Sequence, residues 1–148
     1  MMSADAATMR GHVRLEVFGP DGELRDSREV DNLIVTVGRN GVMDQLLASP
    51  TINKPTHMAV GTGAVAPALG DTALGTESAR VALTSKTRST NVLTLVGDYA
   101  AGTATATLTE AGVFDAASTG NMYSRATFTG IAKGASDTLK VTWTWTQT

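Results

Sequence analysis

Two histidines, two candidate pairs of carboxylates, a glycine-rich stretch and two tryptophans are the residues of this chain best equipped for chemistry. The glycine-rich stretch is Gly61-Thr62-Gly63-Ala64-Val65-Ala66-Pro67. A phosphate-binding loop needs backbone N–H groups feeding into a helix start, normally followed by Gly-Lys-Ser/Thr. This one runs into Pro67, has no lysine near it and lacks the third glycine of a dinucleotide fingerprint, so it reads as a structural turn. His12 and His57 each fall in an expected strand, without a second His, Asp or Glu at metal-ligand spacing. They read as surface or sheet-edge histidines.

Paired carboxylates could serve acid–base hydrolysis, and such pairs can come from distant strands. Asp71 and Glu77 flank a loop, and Glu110 and Asp115 flank an apolar bend. Acids in turns are commonly solvated turn-formers, and that is the reading taken for these. There is no Gly-x-Ser-x-Gly elbow. The absence of cysteine removes disulfides, zinc thiolates and thiol nucleophiles. Trp143 and Trp145 fall on one face of a strand and read as core or subunit contact, where indoles contribute large buried area. A sugar-stacking platform is the alternative. The expected sets of catalytic, cofactor-binding and metal-ligating residues are therefore empty, and no cofactor is expected. Residues available for subunit contact are Trp143, Trp145, Gly61, Gly63 and Pro67.

The elements that would position these residues are mostly strands. With 148 residues and 42% hydrophobic content the chain suits one domain with one core. Aromatics are only 5%, so the core must rest on Val, Leu, Ile, Ala and Met. Residues 139–148 carry the clearest signal. Leu139, Val141, Trp143 and Trp145 point one way, and Lys140, Thr142, Thr144 and Thr146 the other. Strands are also expected at 12–18, 23–30, 57–60, 79–83, 91–96, 104–108 with a continuation at 110–114, and 121–128. The segment 23–30 is polar on both faces and is assigned to an edge. Residues 32–37 form an apolar run that suits either a strand or the approach to a helix. The one helix is expected at 39–49, with Val42, Met43, Leu46 and Leu47 as an apolar stripe packed on the sheet and Pro50 as its stop. Thr is frequent from residue 51 onward, which suits the wet face of a sheet. The fold expectation is a mainly-β, jelly-roll-like β-sandwich of about eight short strands with one short α-helix. Residues 1–10 form a flexible arm and 11–148 a single β-sandwich domain. The loop 61–75 is expected to order only on assembly.

Net charge is −2, with no concentrated basic run, which argues against nucleic-acid binding. No apolar stretch approaches the roughly 20 residues that span a bilayer, and residues 1–11 lack the pattern of a signal peptide. The chain reads as soluble, made in the cytoplasm, with no membrane partner.

Four stretches in order carry a resemblance. They are Asn32-Leu33-Ile34-Val35-Thr36-Val37-Gly38-Arg39 leading into residues 42–47, then His57-Met58-Ala59-Val60-Gly61-Thr62-Gly63 with Pro67 and Asp71-Thr72-Ala73-Leu74. Glu110-Ala111-Gly112-Val113-Phe114-Asp115 follows. The fourth is Arg125-Ala126-Thr127-Phe128, Lys133-Gly134-Ala135-Ser136-Asp137-Thr138-Leu139 and the terminal Trp-Thr-Trp-Thr strand. From about residue 31 the chain resembles a recurrent type of small tailed-bacteriophage virion structural protein, of the head decoration (cement) or tail-associated type. The resemblance implies no activity and no catalytic motif. It implies virion localisation after assembly in the host cytoplasm, other virion proteins as partners (major capsid or tail proteins) and a homo-oligomer. Capsid decoration is the expected role. A tail, baseplate or tail-fibre component touching the host receptor is the first alternative, and a carbohydrate-binding module the second.

Overall fold

Alternating apolar residues build this molecule strand by strand. The structure, a computed structural model, describes residues 8–148. In chain order the elements are β1 (Met9–Phe18), β2 (Leu24–Ile34), α1 (Thr36–Asp44), β3 (His57–Gly61), β4 (Glu77–Ala82), β5 (Ser85–Ser89), β6 (Val92–Tyr99), β7 (Ala106–Phe114), β8 (Met122–Lys133) and β9 (Thr138–Gln147). In β1 the period-two pattern buries Val13, Leu15 and Val17, and in β9 it buries Leu139, Val141, Trp143 and Trp145. Gly22, at φ 82°, closes the β1–β2 turn in the left-handed region that glycine enters without steric cost, and its N–H donates to the Gly19 carbonyl.

The described residues are mainly β with one helix, as composition and periodicity indicate. All nine strands belong to one antiparallel sheet in the order β4-β3-β7-β8-β2-β1-β9-β6-β5. The sheet is curled, and its two halves are joined by the short β2–β8 ladder. The curl turns one face inward, and Val13, Leu15, Met58, Val60, Leu108, Val113, Ile131, Val141 and Trp143 meet there in one core. Across the interior, the Tyr99 hydroxyl of β6 donates to the Met58 carbonyl of β3 at 2.6 Å. Gly97 permits this approach, since a β-carbon there would sit 3.1 Å from the Met58 sulfur.

The two end strands, β4 and β5, are consecutive in the chain. The Leu83 N–H donates to Thr56 beside β3, while the Thr84 N–H donates to Val96 of β6. Residues 83–84 thus carry the chain from one end of the sheet to the other.

Several expectations change. Strand β5, Ser-Lys-Thr-Arg-Ser, is exposed throughout and has no apolar alternation to betray it. β2 lies between β8 and β1 in strand order, but its ladder to β8 is limited to Leu33–Arg125 and Ile34–Ser124, so residues 24–30 pair with β1 alone and keep the edge position expected of them. The run 32–37 is both things considered, the end of β2 and the start of α1. Met9 and Arg10 belong to β1, Thr8 is bonded to Thr148, and arm positions 1–7 lie outside the described residues.

The helix departs most. It spans Thr36–Asp44, and the residues it buries are Gly38 and Gly41. A β-carbon on Gly38 would overlap the Tyr123 carbonyl, and one on Gly41 would lie 2.8 Å from the Tyr123 ring. The missing side chains let the helix backbone sit directly on β8. Val42 packs against the core, but Met43, Leu46 and Leu47 are 64%, 78% and 59% exposed.

Candidate functional site

The carboxylates expected in pairs are redistributed by the fold. Glu110 lies in the middle of β7 with no exposed surface. Its carboxylate accepts the backbone N–H groups of Gly63 (2.7 Å), Gly75 (2.8 Å) and Thr76 (2.7 Å) and the Arg125 guanidinium (3.0 Å). Arg125, itself buried, also donates to Asp71 at 3.0 Å. Burial pushes the Glu110 carboxyl up, but the N–H groups of Thr76 and Gly75, Arg125 and the Gly63 N–H outweigh it, and the net shift is downward. Gly61 and Gly63 serve this clamp. A β-carbon at Gly63 would meet the Glu110 carboxylate at 2.5 Å, and one at Gly61 would overlap the Thr76 carbonyl. Pro67, half-buried, follows in the same loop.

The loop 62–76 is therefore tied down within the single chain, contrary to the expectation that it orders only on assembly. Further ties are the Thr109 hydroxyl to the Gly63 carbonyl (2.8 Å) and the Ala68 N–H to Asp71 (2.9 Å). Leu74 joins Val35, Ala59, Phe114 and Met122 in a second, smaller core beneath the loop. The other acids are also engaged: Glu77 holds Arg80 at 2.7 Å, and Asp115 accepts the Asn121 backbone and side-chain N–H groups.

His12 and His57 stand apart. His12 approaches Asp31 through Nδ1 and Glu29 through Nε2, so these three do not converge on one point. His57 meets the Thr56 hydroxyl. Among the described residues no group of three or more His, Asp or Glu is placed to hold a metal ion, and no helix is long and apolar enough to cross a membrane.

The tryptophans point into the curl. Trp143 has no exposed surface and Trp145 only 5%, so the open choice between core and seam resolves to core for both side chains. Trp145 stacks on Tyr123, with centroids 5.8 Å apart and planes 26° from parallel. The Tyr123 hydroxyl donates to the Asn53 carbonyl at 2.6 Å. Burial first, then Asp115, pushes it up to about 12, despite an opposing hydrogen bond from Gln45.

Beside this pair the end of the sheet opens into a cleft of about 380 Å³, walled by Met9, Val42, Leu93, Tyr123 and Trp145 with Arg88 and Thr90 at one side. A second cleft of about 300 Å³ shares Met9 and Val42 and adds Arg39 and Met43. The apolar residues beyond them stand on a fixed mount. Asp44 accepts the Thr51 and Ile52 N–H groups, both at 2.7 Å, and pins the turn that carries Leu46 and Leu47 outward. These bonds, the Ile52 N–H foremost, hold the Asp44 carboxyl below its ordinary value. The other end of α1 is capped by the loop, whose Leu69 carbonyl accepts the Thr36 N–H at 2.9 Å. Leu69 and Val65, on that loop, are 46% and 76% exposed. Five of the six large apolar side chains exposed on the described residues thus belong to α1, its following turn and the loop that caps it; only Leu24 lies elsewhere.

No family profile, curated protein or solved structure matches this chain. Sequence reasoning missed this face because it assigned the same leucines to the core. It missed the Glu110 clamp because it took Glu110 for a turn acid. An acid at mid-strand in Ala106–Phe114 was the available signal, since a charge there must find partners.

Proposed function

We propose that this chain is a non-enzymatic structural component of a bacteriophage particle, an oligomeric capsid decoration or cement protein that stabilises the head. The observation that carries the reading is the apolar face at α1. Met43, Leu46 and Leu47 are held in the open by the Asp44 hydrogen bonds, next to an apolar cleft. Contiguous exposed apolar surface on a rigid support marks an interaction site. The ordered resemblance to small virion proteins supplies the partner class: major capsid or tail proteins, and further copies of the chain. In this reading the curled sheet acts as a stiff, sandwich-like two-layered wall, and the helix side is its docking face.

A tail or baseplate component would need the same kind of face. Cryo-electron microscopy of the intact particle distinguishes the two. Head decoration predicts many symmetric copies on the capsid with the α1 side against a neighbour. A few copies at the tail would establish the runner-up, and a particle without the chain would overturn both.

A further inference from the structure

Before Leu33 the ladder between β2 and β8 is absent, and the two strands part around a cleft of about 480 Å³ whose walls include Arg28, Val30, Thr127 and Phe128. Two strand edges therefore lie open along one side of the molecule. One is residues 24–30 of β2, which pair with β1 alone, and the other is residues 126–133 of β8, which pair with β7 alone. An open edge offers its backbone N–H and C=O groups to a strand of another chain.

At this seam one side chain reaches both edges. Asp26 and Arg28 lie opposite the buried Val17 and Leu15 of β1, so they point to the inner face. The Arg28 guanidinium donates through Nη1 to Asp26 at 2.6 Å and to the Ser27 carbonyl at 2.8 Å. Asp26 in turn accepts the Ser27 N–H at 2.9 Å. In an antiparallel ladder the backbone groups of alternate residues face away from the partner strand, and side-chain bonds to both groups of Ser27 mark it as one of these. Across the gap β8 bulges. Phe128, Thr129 and Gly130 together stand against Thr109, between the pairs Glu110–Thr127 and Leu108–Ile131. A bulge leaves backbone groups without ladder partners. Arg28 collects two of them, donating through Nε to the Thr129 carbonyl at 3.1 Å and through Nη2 to the Gly130 carbonyl at 2.8 Å. The planar fork of donors on a guanidinium suits it to span such a gap.

Other features of the open strands act in the same sense. Val17 lies opposite Asp26 but Phe18 opposite Leu24, so Arg25 is an extra residue that bends the β2 edge. On the edge strand β5, Lys86 and Arg88 lie opposite Leu95 and Leu93, which belong to the core or pack on it. Bulges and inward-pointing charges are means by which strand edges resist pairing. From the bonds of Arg28 across the parted β2–β8 seam, we infer that Arg28 is a strap that keeps these two edges from pairing with an edge of a second copy of the chain. A second copy is the strand to be kept out, because it brings the same open edge at the chain's own concentration. The strap thereby turns association away from this side of the sheet. It does so whether or not the helix face has a partner.

The test compares the unaltered full chain with Arg28→Ala, by sedimentation over a range of protein concentration and by amide hydrogen exchange at the same concentrations. Loss of the strap should tighten self-association about tenfold or more, as the release of a charge-assisted hydrogen bond implies. The amides of residues 25–29 should gain protection as concentration rises, and in the unaltered chain they should not. Arg28→Lys, whose single ammonium cannot serve both edges, should fall between the two, and it decides the matter if Arg28→Ala does not fold. Arg14→Ala makes the same change in net charge on β1, which is flanked by β2 and β9, and should leave self-association as it is. A strapless chain that sediments like the unaltered one, that associates without protection of residues 25–29, or that Arg14→Ala matches would overturn the inference. So would an unaltered chain in which residues 25–29 gain protection with concentration.

Discussion

Glu110 and Trp143 define the residue scale, because each is buried for a different reason. Trp143 contributes area, so Trp143→Ala should cost about 3 kcal/mol or more in chemical denaturation. Glu110 contributes acceptors. Its carboxyl is held below the ordinary glutamate value of about 4.3, so its contribution is fully present above that value and lost as pH falls through the lower, folded value. Hydrogen-exchange protection of the Gly63, Gly75 and Thr76 amides should therefore fall on acidification below about pH 4. Glu110→Ala should remove that protection at neutral pH and cost about 3–5 kcal/mol, since Arg125 is left buried beside fewer partners. Unchanged protection in that variant would show the loop to be held by its other bonds. The inward position of the tryptophans was legible from period-two alternation alone. The partners of Glu110 were not, because its three amide donors lie 34 to 47 residues away in a loop without periodicity.

At the scale of elements, α1 separates what a pattern says from what packing selects. Its apolar stripe predicts a buried face of Val42, Met43, Leu46 and Leu47, yet the helix rests on Gly38 and Gly41. Bare backbone approaches Tyr123 more closely than any side chain would allow, and the stripe is turned away as a consequence. Gly38→Ala should force the helix off β8 and lower stability by about 1–3 kcal/mol, measured as a drop in melting temperature. The triple change Met43→Ser, Leu46→Ser, Leu47→Ser should shift the chain's own stability by no more than about 0.5 kcal/mol, because the residues are exposed. The same variant should weaken association with partner chains or copies, read by sedimentation and by incorporation into particles. A large loss of folding stability would return those side chains to the core. Strands were more legible than the helix. β1, β3, β6, β7, β8 and β9 each overlap an apolar run, whereas β5 is a strand only through its ladder to β6.

For the whole molecule, local pattern established the mainly-β character and the one helix of the described residues, but not how their strands are divided among sheets. That division depends on two places where a strand changes neighbours. β2 leaves β1 for β8 near Asn32, and residues 83–84 cross between the two end strands. No residue type at those positions announces the change. One further feature governs how the molecule bears load. β1 and β9 are antiparallel neighbours, and Thr8 and Thr148 close their shared end through reciprocal backbone bonds of 3.2 and 2.8 Å. Tension applied between these two residues falls on one rung of the ladder at a time, as in opening a zip. Tension between Asp21, at the far end of β1, and Thr148 runs along the strands and loads many rungs together. Because the chain has no cysteine, single cysteines at 8, 21 and 148 would give clean handles for force spectroscopy. The 8–148 pair should open at markedly lower force than the 21–148 pair. On the proposed reading as a shell-stabilising subunit, the molecule would resist stress best when gripped away from the Thr8–Thr148 corner.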